Sequence, residues 1–550
     1  MRPRQPAPRS PEDLLASLAS RKVASHIWWR HPSIFLPAMA PPAPQVAIKS
    51  RLGWLDAPDD GARLVAELDM FAAGVRRDGL TDVYLLGMGG SSLAAEVLRD
   101  AGKRRSGGAR LTVVDTTDET TIRDVSERFA AERTLFVVAS KSGTTVEVTA
   151  LERHFWNTLT RRRGGGAGAQ FVAVTDPDTP LAALAAERRY RRLFLNRADI
   201  GGRYSALSLF GLVPAALLGL DLRELVASGQ RMAASCRLDA TSNPGLALGA
   251  FLAAAAAAGH DKLTMLASPA LESLGAWIEQ LVAESTGKEG RGVLPIVGEP
   301  PGAPDEYGPD RAFVALISPD DEATAAAAER LEAAGRRVLR APVEPSELGA
   351  EFFRWEFATA VLGASLVINP FDEPNVREAK TRTSAQLDHR KATGTFRIDP
   401  PLQPREGWFM RVSRAVRPRP SAGRYLAVLD YLPGDPARMG VIAGFRADHR
   451  RATGQATSYG VGPRYLHSTG QYHKGGPATG RFVLLTGADP MRTAVPGEAY
   501  SFSSLKYAQA LGDFEALVAA DRDVVHCHFE APAAGVADVI RRAVKALDEP

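Results

Sequence analysis

Cysteine is scarce: 550 residues carry two, Cys236 and Cys527, far apart in the chain. That excludes a disulfide framework and a zinc-ligand spacing and makes a reducing compartment the expectation. Both read as small buried hydrophobes rather than nucleophiles. Long apolar runs are missing as well. The longest, 247–258 and 357–368, fall short of the roughly 20 residues a membrane span needs and read as core helices. An excess of charge of one sign is also lacking, since 67 Lys+Arg stand against 63 Asp+Glu for a net +4. The pI of about 9.0 therefore reflects a near balance and no basic face, which argues against nucleic acid as a partner. The first residues, M-R-P-R-Q-P-A-P-R-S, are basic, broken by prolines and followed by no apolar segment of secretory type. A cytoplasmic protein without membrane contact is expected.

The composition is that of an ordinary globular protein, 45% hydrophobic and 24% charged, and the length calls for two or three domains. Residues 1–60, with the proline cluster P-A-M-A-P-P-A-P at 37–44 around short helical pieces such as Pro11–Ser20, read as a tail and lead-in segment. Within 61–240, strand-like runs (D-V-Y-L-L-G, L-T-V-V-D, L-F-V-V-A, F-V-A-V-T-D) alternate with helical patterns. Such alternation predicts an α/β fold with a doubly wound parallel sheet and ligands at the carboxyl ends of the strands. A second round of the same kind fills 241–391. Residues 392–423, rich in proline and arginine, read as a connector, and 424–550 as a smaller C-terminal α/β unit.

One loop stands out. Between the strand Thr134–Ala139 and the helical pattern V-E-V-T-A-L-E-R lie Ser140, Lys141, Ser142, Gly143, Thr144 and Thr145. Hydroxyl donors, a lysine, a glycine allowing close backbone approach and a helix N-terminus behind them together suit an anion, and a phosphate first of all. Helix capping alone would need fewer hydroxyls. A second turn, G-M-G-G-S-S at 87–92, follows another strand, and Asp115 ends the next one. A dinucleotide fingerprint would use these residues, but its third glycine position holds Ser92. A tight strand-to-helix turn capped by Ser91 is compatible with phosphate binding as well.

This loop, with I-G-G-R-Y-S-A-L-S at 200–208, A-E-S-T-G-K at 283–288 and N-P-F-D-E-P-N-V-R-E-A-K at 369–380, resembles the glucose-6-phosphate isomerase family. The likeness is nearest to the isomerase half of bacterial transaldolase/phosphoglucose isomerase fusions, and covers most of the chain from Arg51 onward. It implies two sugar-isomerase domains, which agrees with the two βα rounds, and interconversion of glucose 6-phosphate and fructose 6-phosphate in glycolysis and gluconeogenesis. Gly90, Ser91, Ser140, Lys141, Ser142 and Thr145 would hold the sugar phosphate. Glu284 would be the base that moves a proton between C2 and C1 through a cis-enediol, and burial would raise its pKa toward the working pH. Arg203 would stabilise the enediolate oxygen and Lys380 assist ring opening, while Glu147 and Gln280 would line the pocket. No cofactor or metal is implied. The partner is a hexose phosphate, and a homodimer is compatible with the reading.

Two positions depart from the family pattern. Glu373 stands where the family usually has glutamine. The segment that usually carries a ring-opening histidine is matched only loosely by Tyr307–Arg311, with no histidine. The glycine-rich loop H-S-T-G-Q-Y-H-K-G-G-P at 467–477 offers His467 and His473 as substitutes, since histidine suits proton shuttling near neutral pH. Two alternatives accompany the reading: a dual phosphoglucose/phosphomannose isomerase, and a non-catalytic sugar-phosphate-binding regulator, which would not need Glu284, Arg203 and Lys380 together.

Overall fold

The computed structural model describes residues 10–37, 40–397, 408–413, 423–488, 492–529 and 535–548. Three sheets organise the chain. In the first, β1 (Asp82–Gly87), β2 (Arg110–Val114), β3 (Thr134–Ala139), β4 (Phe171–Thr175) and β5 (Arg192–Leu195) run parallel in the order β2-β1-β3-β4-β5. Every residue of β1, β3 and β4 is buried, as near-continuous apolar strands covered on both faces must be. The second sheet, also parallel, comprises β6 (Lys262–Ala267), β7 (Leu294–Ile296), β8 (Arg311–Ile317) and β9 (Val338–Pro342) in the order β7-β6-β8-β9. The α/β class with doubly wound parallel sheets, expected from the strand–helix alternation, is what the chain forms.

The third sheet has the order β10-β14-β13-β11-β12, built from β10 (Trp408–Ser413), β11 (Tyr425–Tyr431), β12 (Ala456–Val461), β13 (Gly480–Gly487) and β14 (Asp523–Phe529). Only β10 is antiparallel, pairing with β14. It lies inside 392–423, so that stretch is more than a connector. Its proline and arginine content masked a six-residue strand. The short β7 also escaped the sequence reading, because Leu-Pro-Ile is too brief for an alternation signal and proline is tolerated at a sheet edge.

The lead-in segment is not a tail either. Phe35, Ile48, Leu52 and Trp54 are fully buried, in a core shared with the helices 209–218, 244–257 and 348–366. The Trp54 ring lies 5.2 Å from Tyr204 and 5.6 Å from Phe353. Proline here sets the first turns of short helices, such as Pro42–Lys49, instead of excluding them. Among the described residues no helix is long and apolar enough to cross a membrane.

Candidate active site

The turn after β1 and the loop after β3 lie side by side at the carboxyl ends of neighbouring strands. The Gly89–Ser91 turn packs so closely on the Gly202–Tyr204 turn that a Cβ on Gly90 would sit 2.0 Å from the Gly202 carbonyl oxygen. Only glycine allows that approach. In the second loop Gly143 takes φ +65°, which reverses the chain ahead of the helix Val146–Arg163. That helix starts directly after Thr145, whose side chain makes no capping hydrogen bond.

A cavity of about 490 Å³, large enough for a phosphorylated hexose, opens over these loops. Eleven of the fourteen expected site residues line it: Gly90, Ser91, Lys141, Ser142, Thr145, Arg203, Gln280, Glu284, Glu373, Lys380 and His467. They come from all three sheet units, with Arg51 of the lead-in segment added.

Glu284 sits in the last turn of the helix Glu272–Thr286, with 6% of its surface exposed. Its Oε1 lies 3.1 Å from Arg203 Nη1, and its Oε2 accepts a hydrogen bond from Gln280 Nε2 at 3.2 Å. Burial pushes its carboxyl up from the ordinary range; Arg203 opposes this and the Glu373 carboxylate adds to it. Arg203 is equally enclosed. Its Nε donates to Ser285 Oγ at 3.0 Å, and its Nη2 donates to the Pro370 and Asp372 carbonyls at 3.3 and 3.1 Å. Burial works against its charge, but Glu284 and Glu373 more than compensate and keep the guanidinium protonated. Lys288, last residue of the A-E-S-T-G-K motif, donates to the Asn369 carbonyl at 2.6 Å and to Asp372 Oδ1 at 2.7 Å. That contact ties the end of the Glu284 helix to the N-P-F-D-E segment, so the two motifs are one piece of structure.

The C-terminal unit reaches the cavity through the turn Arg464–His467. His467 Nε2 lies 3.0 Å from Glu147 Oε1, and the His467 carbonyl accepts from Gln280 Nε2 at 2.7 Å. Glu147 also accepts from Gln509 Nε2 at 2.7 Å. Although burial raises the Glu147 carboxyl, His467 and its hydrogen bond bring it below the ordinary range. Arg464 anchors the turn on Glu96 and lies 3.3 Å from Asp115, the residue that had suggested a dinucleotide fingerprint.

Three expected residues do not line this cavity. Ser140 is buried behind the loop, where its Oγ lies 3.0 Å from Thr145 Oγ1 and accepts from the Gly143 N–H at 3.1 Å; it shapes the loop. Glu147 stands behind His467, on an adjoining smaller cavity that also touches Thr145, Lys380 and His467. His473 lies in the core of the C-terminal unit, with Nδ1 2.9 Å from the Tyr425 hydroxyl. Burial, with Lys474 and Arg522 nearby, pushes it well below the ordinary imidazole range, so it is a packed neutral histidine and no substitute for ring opening. Lys141 lines the cavity, but its ammonium is committed to Asp176 and to the Ala198 carbonyl at 2.9 Å. Arg51 and Asp176 were missed by sequence reasoning, since neither belongs to a motif with a local signature. Among the described residues no group of three or more His, Cys, Asp or Glu side chains could hold a metal ion.

The family model described as phosphoglucose isomerase matches residues 71–292, which include the two loops, Arg203 and Glu284 but not Glu373, Lys380 or His467. The glucose-6-phosphate isomerase of Rubrobacter xylanophilus is 30% identical over 386 residues, spanning 61% of this chain and 89% of that protein. That of Carboxydothermus hydrogenoformans is 28% identical, spanning 62% and 85%. Among solved structures, a hypothetical protein from Thermus thermophilus superposes with a TM-score of 0.57 at 25% identity, over 68% of this chain and 98% of its own. A glucose-6-phosphate isomerase from Chlamydia trachomatis, 20% identical, shares the fold with a TM-score of 0.51 over 70% and 84%.

Proposed function

Because the chain belongs to the glucose-6-phosphate isomerase family, we propose that it interconverts D-glucose 6-phosphate and D-fructose 6-phosphate, the aldose–ketose step of glycolysis and gluconeogenesis. The observation that carries the proposal is the buried Glu284–Arg203 pair, 3.1 Å apart, in the cavity that also holds the anion loop.

The C6 phosphate binds against Gly90, Ser91, Ser142 and Thr145 at the start of the helix Val146–Arg163. Fixing that end orients C1 and C2 over Glu284, so binding energy remote from the reacting carbons serves positioning. His467, held by Glu147, and Lys380 act at the ring oxygen and the C1 hydroxyl to open the cyclic sugar. Glu284 then takes the C2 proton. The electron pair of that C–H bond forms the C1=C2 double bond, and the carbonyl oxygen becomes an enediolate opposite Arg203. Returning the same proton to C1, while the O2–H proton passes to O1 and O2 becomes a carbonyl, gives the ketose, and the reverse order gives the aldose. A carboxylate whose proton affinity is raised by burial suits a base that must both accept and return a proton. No net redox change occurs: the carbon-bound proton leaves and returns through Glu284, and the hydroxyl proton moves from O2 to O1.

The test is a coupled assay of fructose 6-phosphate formation on the wild type and Glu284→Gln. Loss of a positioned general base lowers kcat by about 10²–10⁴-fold, with KM little changed. Near-normal kcat in the variant would overturn the role of Glu284, and an inactive wild type would overturn the activity itself. Mannose 6-phosphate in the same assay separates a single from a dual specificity.

A further inference from the structure

Glu284 and Glu373 both contact one nitrogen of one guanidinium. Arg203 Nη1 lies 3.1 Å from Glu284 Oε1 and 3.2 Å from Glu373 Oε2, so neither carboxylate has the two-pronged contact an arginine can offer. The guanidinium cannot turn toward either one, because its Nε and Nη2 are held by Ser285 and by the Pro370 and Asp372 carbonyls. The two acids also differ in setting. The Glu284 side chain is 8% exposed, whereas that of Glu373 is 32% exposed at the cavity wall.

We propose that Glu373 is a positioning residue acting on Glu284 through Arg203: a second carboxylate on the shared guanidinium keeps Glu284 a strong proton acceptor. With Arg203 alone opposite it, Glu284 would be a permanently satisfied anion and a weak base, the usual state of a buried carboxylate paired one to one. The pair of acids instead leaves the group one negative charge in excess. Burial raises the Glu373 carboxyl, but Arg203, Lys288 and Arg51 bring it below the ordinary range, so it carries its charge at neutral pH. The other charged groups around Glu284 are already assigned. His467 and Lys380 face the cavity with Arg51, Lys288 is tied to Asp372, and Glu96 to Arg464. Lys474 is tied to Asp513, Tyr204 contacts Ser285, and Glu356 lies on the helix behind. Glu373 is the acid that shares a cation with Glu284.

The inference rests on the isomerase reading, and its experiment separates the two. The pH profile of kcat/KM is recorded for the wild type, Glu373→Gln and Glu373→Asp. Gln keeps the shape and can still accept from Arg203, so the acid limb moves to lower pH by on the order of one unit, while Asp, which keeps the charge, leaves it near the wild-type position. An unmoved limb in Glu373→Gln, a limb moved upward, or an Asp limb displaced as far as the Gln limb would overturn the proposal. The Glu284 carboxyl is also titrated directly by carbon-13 NMR without substrate, with Glu284→Gln to assign the signal. A titration that moves down in Glu373→Gln while the wild type lacks isomerase activity would remove the enzyme reading and leave the carboxylate coupling standing. An active wild type whose Glu284 titration is unchanged in Glu373→Gln would do the opposite.

Discussion

His467 Nε2 and Glu147 Oε1 lie 3.0 Å apart although 320 residues separate them in sequence. Their contact joins a turn of the C-terminal unit to the helix Val146–Arg163 that follows the loop 140–145. The same Glu147 oxygen is gripped by Gln509 Nε2 at 2.7 Å, and Gln509 Oε1 accepts from Thr117 Oγ1 at 2.8 Å. The imidazole is therefore oriented by a carboxylate that has no freedom to turn away.

If this arrangement serves ring opening, His467→Ala slows turnover of the cyclic sugar by about 10²-fold and affects substrate supplied in the open-chain form far less. Glu147→Gln gives a smaller loss in the same direction. Stopped-flow assays on both forms of the substrate check this, and equal losses on the two would remove His467 from that step. His473→Ala, by contrast, lowers stability without this split, because the residue lies in a core.

Glu147 also makes a prediction about pH and stability. Its folded-state pKa lies below the ordinary 4.5, because the His467 contact outweighs the effect of burial. A depressed carboxyl stabilises the fold above its unfolded pKa, and that contribution fades as pH falls through the folded value. Thermal melting of the wild type and Glu147→Gln is expected to differ most at neutral pH and to converge in acid, as the pH falls through the depressed folded value. A gap that widens on acidification would contradict the assignment.

Gly90→Ala tests the close approach of the two turns. A Cβ placed 2.0 Å from the Gly202 oxygen forces the backbones apart, at a cost of about 1–3 kcal/mol or more. Since both turns line the cavity, KM for the sugar phosphate rises along with the drop in melting temperature. Unchanged melting temperature and KM in Gly90→Ala would show that the turns are free to separate.

Trp54→Ala tests the lead-in segment. The ring is fully buried against Tyr204 and Phe353, and Tyr204 follows Arg203 of the cavity directly. Removing it costs about 3–5 kcal/mol, measured by denaturant or thermal unfolding. A surface-like loss below about 0.5 kcal/mol would mean that the segment does not pack as described.

By itself the sequence determined what is local. Continuous apolar strands such as Leu135–Ala139 alternating with amphipathic helices could only become parallel sheets, because such strands must be covered on both faces. The hydroxyls and glycine of 140–145 read as an anion loop, and Glu284, Arg203 and Lys380 were singled out through the motifs around them. What faces what was decided only by the tertiary structure. The loop at 467–477 offered two histidines of equal chemical promise, and folding turned His467 into the cavity and His473 into a core. Lys141 read as a free positive charge until Asp176, 35 residues on, was found holding it. Arg51 joined the site from a stretch that read as a tail, and β10 emerged from one that read as a connector. The physical reason is the same in each case. Residue type and spacing set what a group can do and which way a strand or helix turns it, but its partners come from elements folded against it from elsewhere in the chain.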